Sequence, residues 1–284
     1  MNKQLKARIL LIIVAFLWGM GFLGVQGALD AGWQPFALLF ARGLIGGLAL
    51  LAVAVVNKTA NFSKPVLARC VLAGFIMWLG FATQTYGQQY ANVSTASILT
   101  GLYVLFTPFM AGFLKKQRLP TQTYLACVIA FVAVILVSYS GSKPSFELGE
   151  LLLLMCAIVY SLHFLLLEDL AGYKSALAIS GLQLLVMSAC SLIMMLATKQ
   201  YPQVSGLQYV LFLGLFCSGA AFSLQVYAQQ QVNSSVASVL ISFECVFGVL
   251  GAIIVYQEAI SWQVVGGCIA MMLAIYVLEM GAKH

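Results

Sequence analysis

Apolar runs of about twenty residues alternate along the chain with short polar or Pro/Gly-rich clusters, and this spacing predicts ten membrane-crossing helices. The expected spans are Ile9–Leu29, Pro35–Val56, Pro65–Gln89, Ser94–Leu114, Thr121–Tyr139, Leu148–Leu167, Ser175–Thr198, Leu207–Gln230, Ser234–Tyr256 and Trp262–Met280. Every connection is short and leaves no room for a soluble domain. Composition agrees: 62% of the residues are hydrophobic, 8% are charged, and the mean hydropathy is +1.01, outside the range of soluble domains. The expected fold class is an all-α polytopic membrane protein. The basic start is followed by no small-residue cleavage site, so the first span is expected to be retained.

The polar positions inside these spans repeat. The segment QTYGQQYANVSTASIL, Gln84 to Leu99, returns 141 residues later as QVYAQQQVNSSVASVL, Gln225 to Leu240. The shared positions include Gln84/Gln225, Tyr86/Tyr227, Gln88/Gln229 and Asn92/Asn233. The same offset pairs Phe106 with Phe247 and Gln122 with Gln263. Glutamine is scarce in lipid-facing sequence, so ungapped matches of this kind point to duplication. Two units are expected, residues 1–142 and 143–284, each of five spans.

The charge of +6 is a topology signal here, and nucleic acid is not an expected partner. With the N-terminus inside, Lys3, Lys6, Arg8, Lys58, Lys64, Arg69, Lys115, Lys116, Arg118, Lys174 and Lys283 are cytoplasmic, and only Lys143 and Lys199 are outside. Five spans per unit is an odd number, so the second unit lies upside down relative to the first. Inverted repeats around a central cavity suit a carrier working by alternating access. The expected location is a bacterial plasma (inner) membrane, with both termini cytoplasmic.

Further motifs bring a family into view. They are Leu17-Trp18-Gly19 in span 1, Arg42 in span 2, and Gly80-Phe81-Ala82-Thr83-Gln84-Thr85 in span 3. Leu99-Thr100-Gly101 and Thr107-Pro108-Phe109 follow in span 4, and Ser161-Leu162-His163 in span 6. Span 9 carries Ser242-Phe243-Glu244-Cys245-Val246-Phe247, and Glu258 comes just after it. Across essentially its whole length the chain resembles the EamA family of the drug/metabolite transporter superfamily. It departs from the family pattern at Cys245, where proline is usual, and at Gln117, where the first half usually carries glutamate. The resemblance implies ten helices around a central cavity, with export of small metabolites or amino acids.

Three side chains that can be charged lie well inside predicted spans: Arg42, His163 and Glu244. A charge at such a depth costs about 2.5–3.5 kcal/mol on insertion scales, so it normally faces water or a partner. Burial without a cationic partner penalises the ionised form of Glu244. Two readings of Glu244 compete, a site for a proton or a cationic solute, and a structural tie to Arg42. Arg42 suits recognition of a carboxylate, and the plain alternative is capping of helix-end carbonyls. His163 has no neighbouring carboxylates or cysteines and reads first as a packing residue. No metal site or cofactor is expected.

Gln84 with Gln88, and Gln225 with Gln229, are spaced i, i+4, so each pair shares a helix face. An unpaired amide is costly in lipid, and these faces should turn inward, lining a cavity or linking helices. Trp18, Trp78, Tyr86, Tyr103, Tyr160 and Tyr227 add aromatic surface at mid-helix, suited to a cationic or aromatic solute. Gly19, Gly21 and Gly24 in span 1 and Gly248 and Gly251 in span 9 mark close packing and hinge action. Pro108 is expected to kink span 4 and leave a carbonyl free near Val104.

The seven cysteines form no CxxC and read as packing residues. An enzyme would need a nucleophile with its base, or paired carboxylates near an interface. The pairs Glu147/Glu150 and Glu168/Asp169 read instead as solvated helix ends. No ring of like charge suggests a channel. The leading reading is therefore a secondary transporter, not an enzyme, exporting amino acids or similar polar, aromatic or cationic solutes. Protons are a candidate coupling partner, and a monomer or weak dimer is the expected form. The alternatives are an uptake or multidrug carrier of the same fold and, more distantly, a membrane enzyme.

Overall fold

In lipid a chain must satisfy its own backbone N–H and C=O groups, and here it does so with helices. The computed structural model describes residues 3–60, 62–115, 121–137, 147–173, 175–259 and 261–281, and the described residues are helical with short connections. Helices of the first half are α1 (Lys3–Asp30), α2 (Pro35–Val56), α3 (Lys64–Gln88), α4 (Val93–Thr100), α5 (Tyr103–Lys115) and α6 (Thr121–Val137). The second half holds α7 (Leu148–Asp169), α8 (Ala176–Ala197), α9 (Leu207–Phe212), a π-helical segment (Leu213–Ala220), α10 (Ala221–Gln229), α11 (Ser234–Ile241), α12 (Glu244–Val255) and α13 (Trp262–Gly281). Among the described residues eight stretches are long and apolar enough to cross a membrane, and shorter apolar helices cover Tyr124–Ala133 and Trp262–Val277. The expected boundary between residues 142 and 143 lies outside the described residues, as do Lys116, Gln117, Arg118, Lys143, Lys174 and Lys283.

Three spans expected to be continuous are interrupted. Span 4 breaks at Gly101–Leu102 into α4 and α5, and span 9 breaks at Ser242–Phe243 into α11 and α12. These are equivalent positions under the repeat offset. At both breaks i→i+3 bonds tighten the helix: Val104 N donates to Gly101 O at 3.1 Å, and Cys245 N to Ser242 O at 3.1 Å. Pro108 lies within α5 instead, so the expectation that it marks the interruption of span 4 is corrected. Span 8 contains the π-helical segment, whereas the equivalent stretch of α3 is α-helical.

The pattern of burial is inverted relative to a soluble protein. Large apolar side chains such as Ile13, Phe16, Leu48, Val56, Leu72, Ile193 and Ile254 point outward, while Arg42, Gln88, His163, Gln183, Gln225, Gln229 and Glu244 are buried. The glutamine faces thus turn inward. Packing crosses between the halves: α3 against α7 and α1 against α10, α5 against α7 and α1 against α12, α4 against α12 and α5 against α11, with α2–α8 and α6–α13 self-paired. Exchanging the two halves maps this set of contacts onto itself, which puts the middle of the bundle where the two broken spans meet.

The half-helices α4 and α11 are fastened at their N-termini, and by the same residue of the repeat. Asn92 Oδ1 accepts from Thr95 N at 2.7 Å, and Asn233 Oδ1 from Val236 N at 2.8 Å. A carboxylate from elsewhere completes each cap. Glu258 accepts from Val93 N (2.9 Å) and Ser94 N (3.3 Å), and Glu168 accepts from Ser234 N (3.0 Å) and the Ser234 hydroxyl. Glu168 is therefore a cap rather than only a solvated helix end. Glu258→Ala should lower stability by about 1–2 kcal/mol through loss of an N-terminal cap with a full charge. Thermal denaturation in detergent checks this, with Glu258→Gln expected to fall between Ala and wild type.

Candidate functional site

Where the broken spans meet, a partly open pocket lies between the helices, with about 520 Å³ of space not filled by protein atoms, its open mouth included. Trp18, Phe22, Arg42, Phe81, Gln84, Tyr103, Tyr160, His163, Phe164, Cys217, Phe222, Gln225 and Glu244 are among its lining residues. Several are counterparts under the repeat: Phe22 and His163, Phe81 and Phe222, Gln84 and Gln225, Tyr103 and Glu244. The duplication therefore supplies the same wall positions twice, and the side chains at two of these pairs have diverged from aromatic to ionisable.

The break in span 9 is what delivers Glu244. It occupies the first turn of α12, and it is 2% exposed. Neither its Oε1 nor the hydroxyl of the neighbouring Tyr103, the first residue of α5, makes a hydrogen bond of regular geometry, and the two groups interact with each other. Arg42 is equally buried but is held elsewhere, its Nε donating to Ser218 Oγ at 2.9 Å and its guanidinium lying 4.5 Å from the centroid of Phe81. Among the described residues no ion pair joins Arg42 to Glu244, and no metal-ligand group of three or more His, Cys, Asp or Glu occurs. The cavity thus holds an acidic and a basic side chain apart from each other.

The π-helical segment positions the Arg42 side of the wall. Ser218 meets Arg42, and the carbonyl of Cys217 accepts from Trp18 Nε1 at 2.9 Å. Cys217 Sγ donates to Leu17 O at 3.1 Å, closing the contact between α1 and this segment. His163 Nε2 donates to Gln183 Oε1 at 2.8 Å, so the histidine ring is oriented by the counterpart of Arg42. The aromatic wall is continuous: Trp18 to Phe222 (4.9 Å between centroids), Phe222 to Phe81 (5.7 Å) and Phe81 to Tyr160 (5.7 Å).

The glutamine pairs divide their work. Gln84 and Gln225 line the cavity. Gln88 and Gln229 link helices, their Nε2 atoms donating to Phe22 O (2.7 Å) and Phe164 O (3.2 Å). Of the aromatic and charged residues singled out in the sequence, Trp18, Arg42, Tyr103, Tyr160, His163 and Glu244 line the cavity. Three other aromatic residues do not, which corrects the expectation for them. Tyr227 is 41% exposed on the outside of α10, 5.7 Å from Lys6 Nζ; it stands two residues from both Gln225 and Gln229 and so projects from the opposite face. Tyr86 is turned the same way on α3 and accepts from Gln200 Nε2 at 2.8 Å, and Trp78 packs against Phe36 and Phe75. Phe22, Phe81, Phe164, Phe222 and Cys217 line the site and were not anticipated; Phe81 and Phe222 could have been, since each lies three residues before a cavity glutamine and they repeat at the same offset.

Comparison with known proteins places the whole chain. The sequence matches the EamA-like transporter family over residues 5–139 and again over 147–280. It is 26% identical over 282 residues to an uncharacterized transporter of Archaeoglobus fulgidus, covering 98% of this chain and 87% of that one. It is 22% identical over 259 residues to a protein of Rickettsia prowazekii named S-adenosylmethionine uptake transporter, covering 88% and 87%. A solved crystal structure superposes with a TM-score of 0.76 at 17% identity over 98% of both chains, a likeness of fold. With two matches to the family that together cover nearly all of its length, the chain belongs to the EamA-like transporter family and is an integral membrane protein.

Proposed function

We propose that this transporter carries a small organic solute of the amino-acid class, with a cationic group and an aromatic or apolar body, by alternating access. The observation that carries the reading is a buried carboxyl oxygen, Glu244 Oε1, with no regular hydrogen bond and no cationic partner, beside Tyr103 in an aromatic-lined cavity. Such an atom is unfavourable until a donor or a positive charge meets it; an ammonium or a proton supplies a donor, and a sulfonium supplies the charge alone. Arg42, at the other end of the charge pattern, suits the carboxylate of the same solute. The relative named for S-adenosylmethionine uptake fits this class, since that molecule joins a sulfonium, an amino acid head and an aromatic base.

Units 1–142 and 143–284 act as the two inverted copies whose exchange of conformation opens the cavity to each side in turn. A single chain encloses the cavity, so a monomer suffices. Eleven of the fourteen Lys and Arg residues fall on one side under the orientation with both termini cytoplasmic, which supports a bacterial plasma membrane with that topology. Glu244 also serves as the group that trades a proton for the solute. Net flow, export included, then follows the imposed proton and solute gradients.

Counterflow in proteoliposomes tests the proposal, using labelled amino acids and S-adenosylmethionine with and without a pH gradient. Exchange of a cationic or zwitterionic member, altered by the gradient, is expected. Failure of every member to exchange, together with measurable turnover of the lipid, would transfer the site to an enzyme.

A further inference from the structure

Gln225 is the most anomalous side chain in the cavity after Glu244. It is 0% exposed, it lines the empty space, and neither its Oε1 nor its Nε2 has a hydrogen-bond partner. Its counterpart shows what an amide does here when it serves the fold. Gln84 Oε1 accepts from the Tyr160 hydroxyl at 3.4 Å and its Nε2 approaches Thr100 Oγ1 at 3.5 Å. Gln88 and Gln229 likewise give their Nε2 atoms to backbone carbonyls. A buried amide whose donor and acceptor are both unused burdens the folded chain, and methionine would fill similar volume without that burden.

The neighbours narrow what Gln225 is for. His163 Nε2 is engaged with Gln183 and Trp18 Nε1 with the Cys217 carbonyl, so neither of these N–H groups is available to it. Phe222 lies three residues earlier on the same face of α10, with Phe81 5.7 Å away, so a flat group placed at the amide would rest against aromatic rings. Glu244 Oε1 and the Tyr103 hydroxyl, neither in a regular hydrogen bond, provide for the charged end of the solute. A primary amide offers one donor and one acceptor side by side, and its complement is another planar group with the same pair.

We infer that Gln225 is a specificity-determining residue that reads a planar donor–acceptor edge, a carboxamide or a nucleobase, on the solute whose charged end Glu244 and Arg42 take. The inference rests on the carrier reading above and adds the second half of the solute to it. Gln225 contributes recognition and does not hold the helices together.

The test compares two sulfonium amino acids in counterflow, S-adenosylmethionine, which has a nucleobase edge, and S-methylmethionine, which has none. Wild type is expected to favour the first by about tenfold or more, and Gln225→Met to reduce that preference to less than about threefold, in keeping with sites built to hydrogen-bond one substrate and reject its analogue. Gln225→Asn keeps the amide on a shorter arm and should fall between them. Without solute, Gln225→Met should melt no lower than wild type. An undiminished preference in Gln225→Met overturns the inference, as does a fall in its melting temperature of more than about 4 °C or failure to fold. Exchange of neither compound by wild type while other amino acids exchange, or exchange of both at equal rates, refutes the role of Gln225 alone, whereas failure of the whole amino-acid panel refutes the carrier reading itself.

Discussion

Glu244→Gln should slow exchange of a cationic solute by roughly 10- to 150-fold, the equivalent of about 1.5–3 kcal/mol for a hydrogen bond to a charged partner. The side chain keeps its shape, so the yield of folded protein should be unchanged or higher, because a buried acid with an oxygen in no regular hydrogen bond is replaced by a neutral amide. Response to an imposed pH gradient should disappear with the titratable group. Glu244→Asp keeps the charge but draws it back from the cavity, and should retain the gradient response at a lower rate. The measurement is initial counterflow at matched protein density, with and without the gradient. A Gln variant with wild-type rate and wild-type pH dependence would remove Glu244 from both solute and proton handling.

The largest structural effect should come from Gly19→Ala. A Cβ at Gly19 would stand 2.5 Å from Phe247 Cβ, 2.9 Å from Glu244 O and 3.0 Å from Gly248 N. Two of these are backbone atoms and cannot move aside alone, so α1 and α12 must separate. Overpacking of this kind costs about 1–3 kcal/mol, and here it also displaces the helix end that carries Glu244. Gly21 provides the control on the same helix, because its added Cβ would meet Cys217 Sγ at 3.4 Å, an ordinary contact. Gly21→Ala should stay within about 0.5 kcal/mol of wild type. Gly24, with Leu213 carbons at 3.1–3.2 Å, falls between the two, while Gly248 meets Ser97 Cβ at 2.6 Å and Gly251 meets the movable ends of Leu23 and Met20. Melting curves of purified variants rank them. Equal melting of Gly19→Ala and wild type would contradict this close approach of α1 to α12.

Much of this was legible before any coordinates. Apolar run lengths placed the spans, and the twice-used glutamine pattern fixed which faces turn inward, because amides have no place against acyl chains. Glu244, Arg42 and His163 stood out for their cost at depth, and all three line the cavity. What stayed hidden has physical causes. Pro108 is the stronger local signal, yet the tightened turn falls at Gly101–Leu102, where packing between α4 and α12 decides the geometry. The π-helical stretch LGLFCSGA is ordinary apolar sequence whose extra slack is set by its contacts with α1 and α2. Tyr86 and Tyr227 were grouped with the cavity by depth alone, although helical phase already set them apart from the glutamines on either side.

The divergence of the paired wall positions has one more consequence. Identical halves would offer an asymmetric solute two equivalent poses, related by the axis between them. With Glu244 facing Tyr103 and His163 facing Phe22, the poses are no longer equal, and a difference of about 2 kcal/mol leaves roughly one molecule in thirty in the minor one. On the proposed carrier reading, the expected behaviour is one solute per chain in one orientation, saturation as a simple hyperbola, and discrimination between the left-handed and right-handed forms of a chiral cargo.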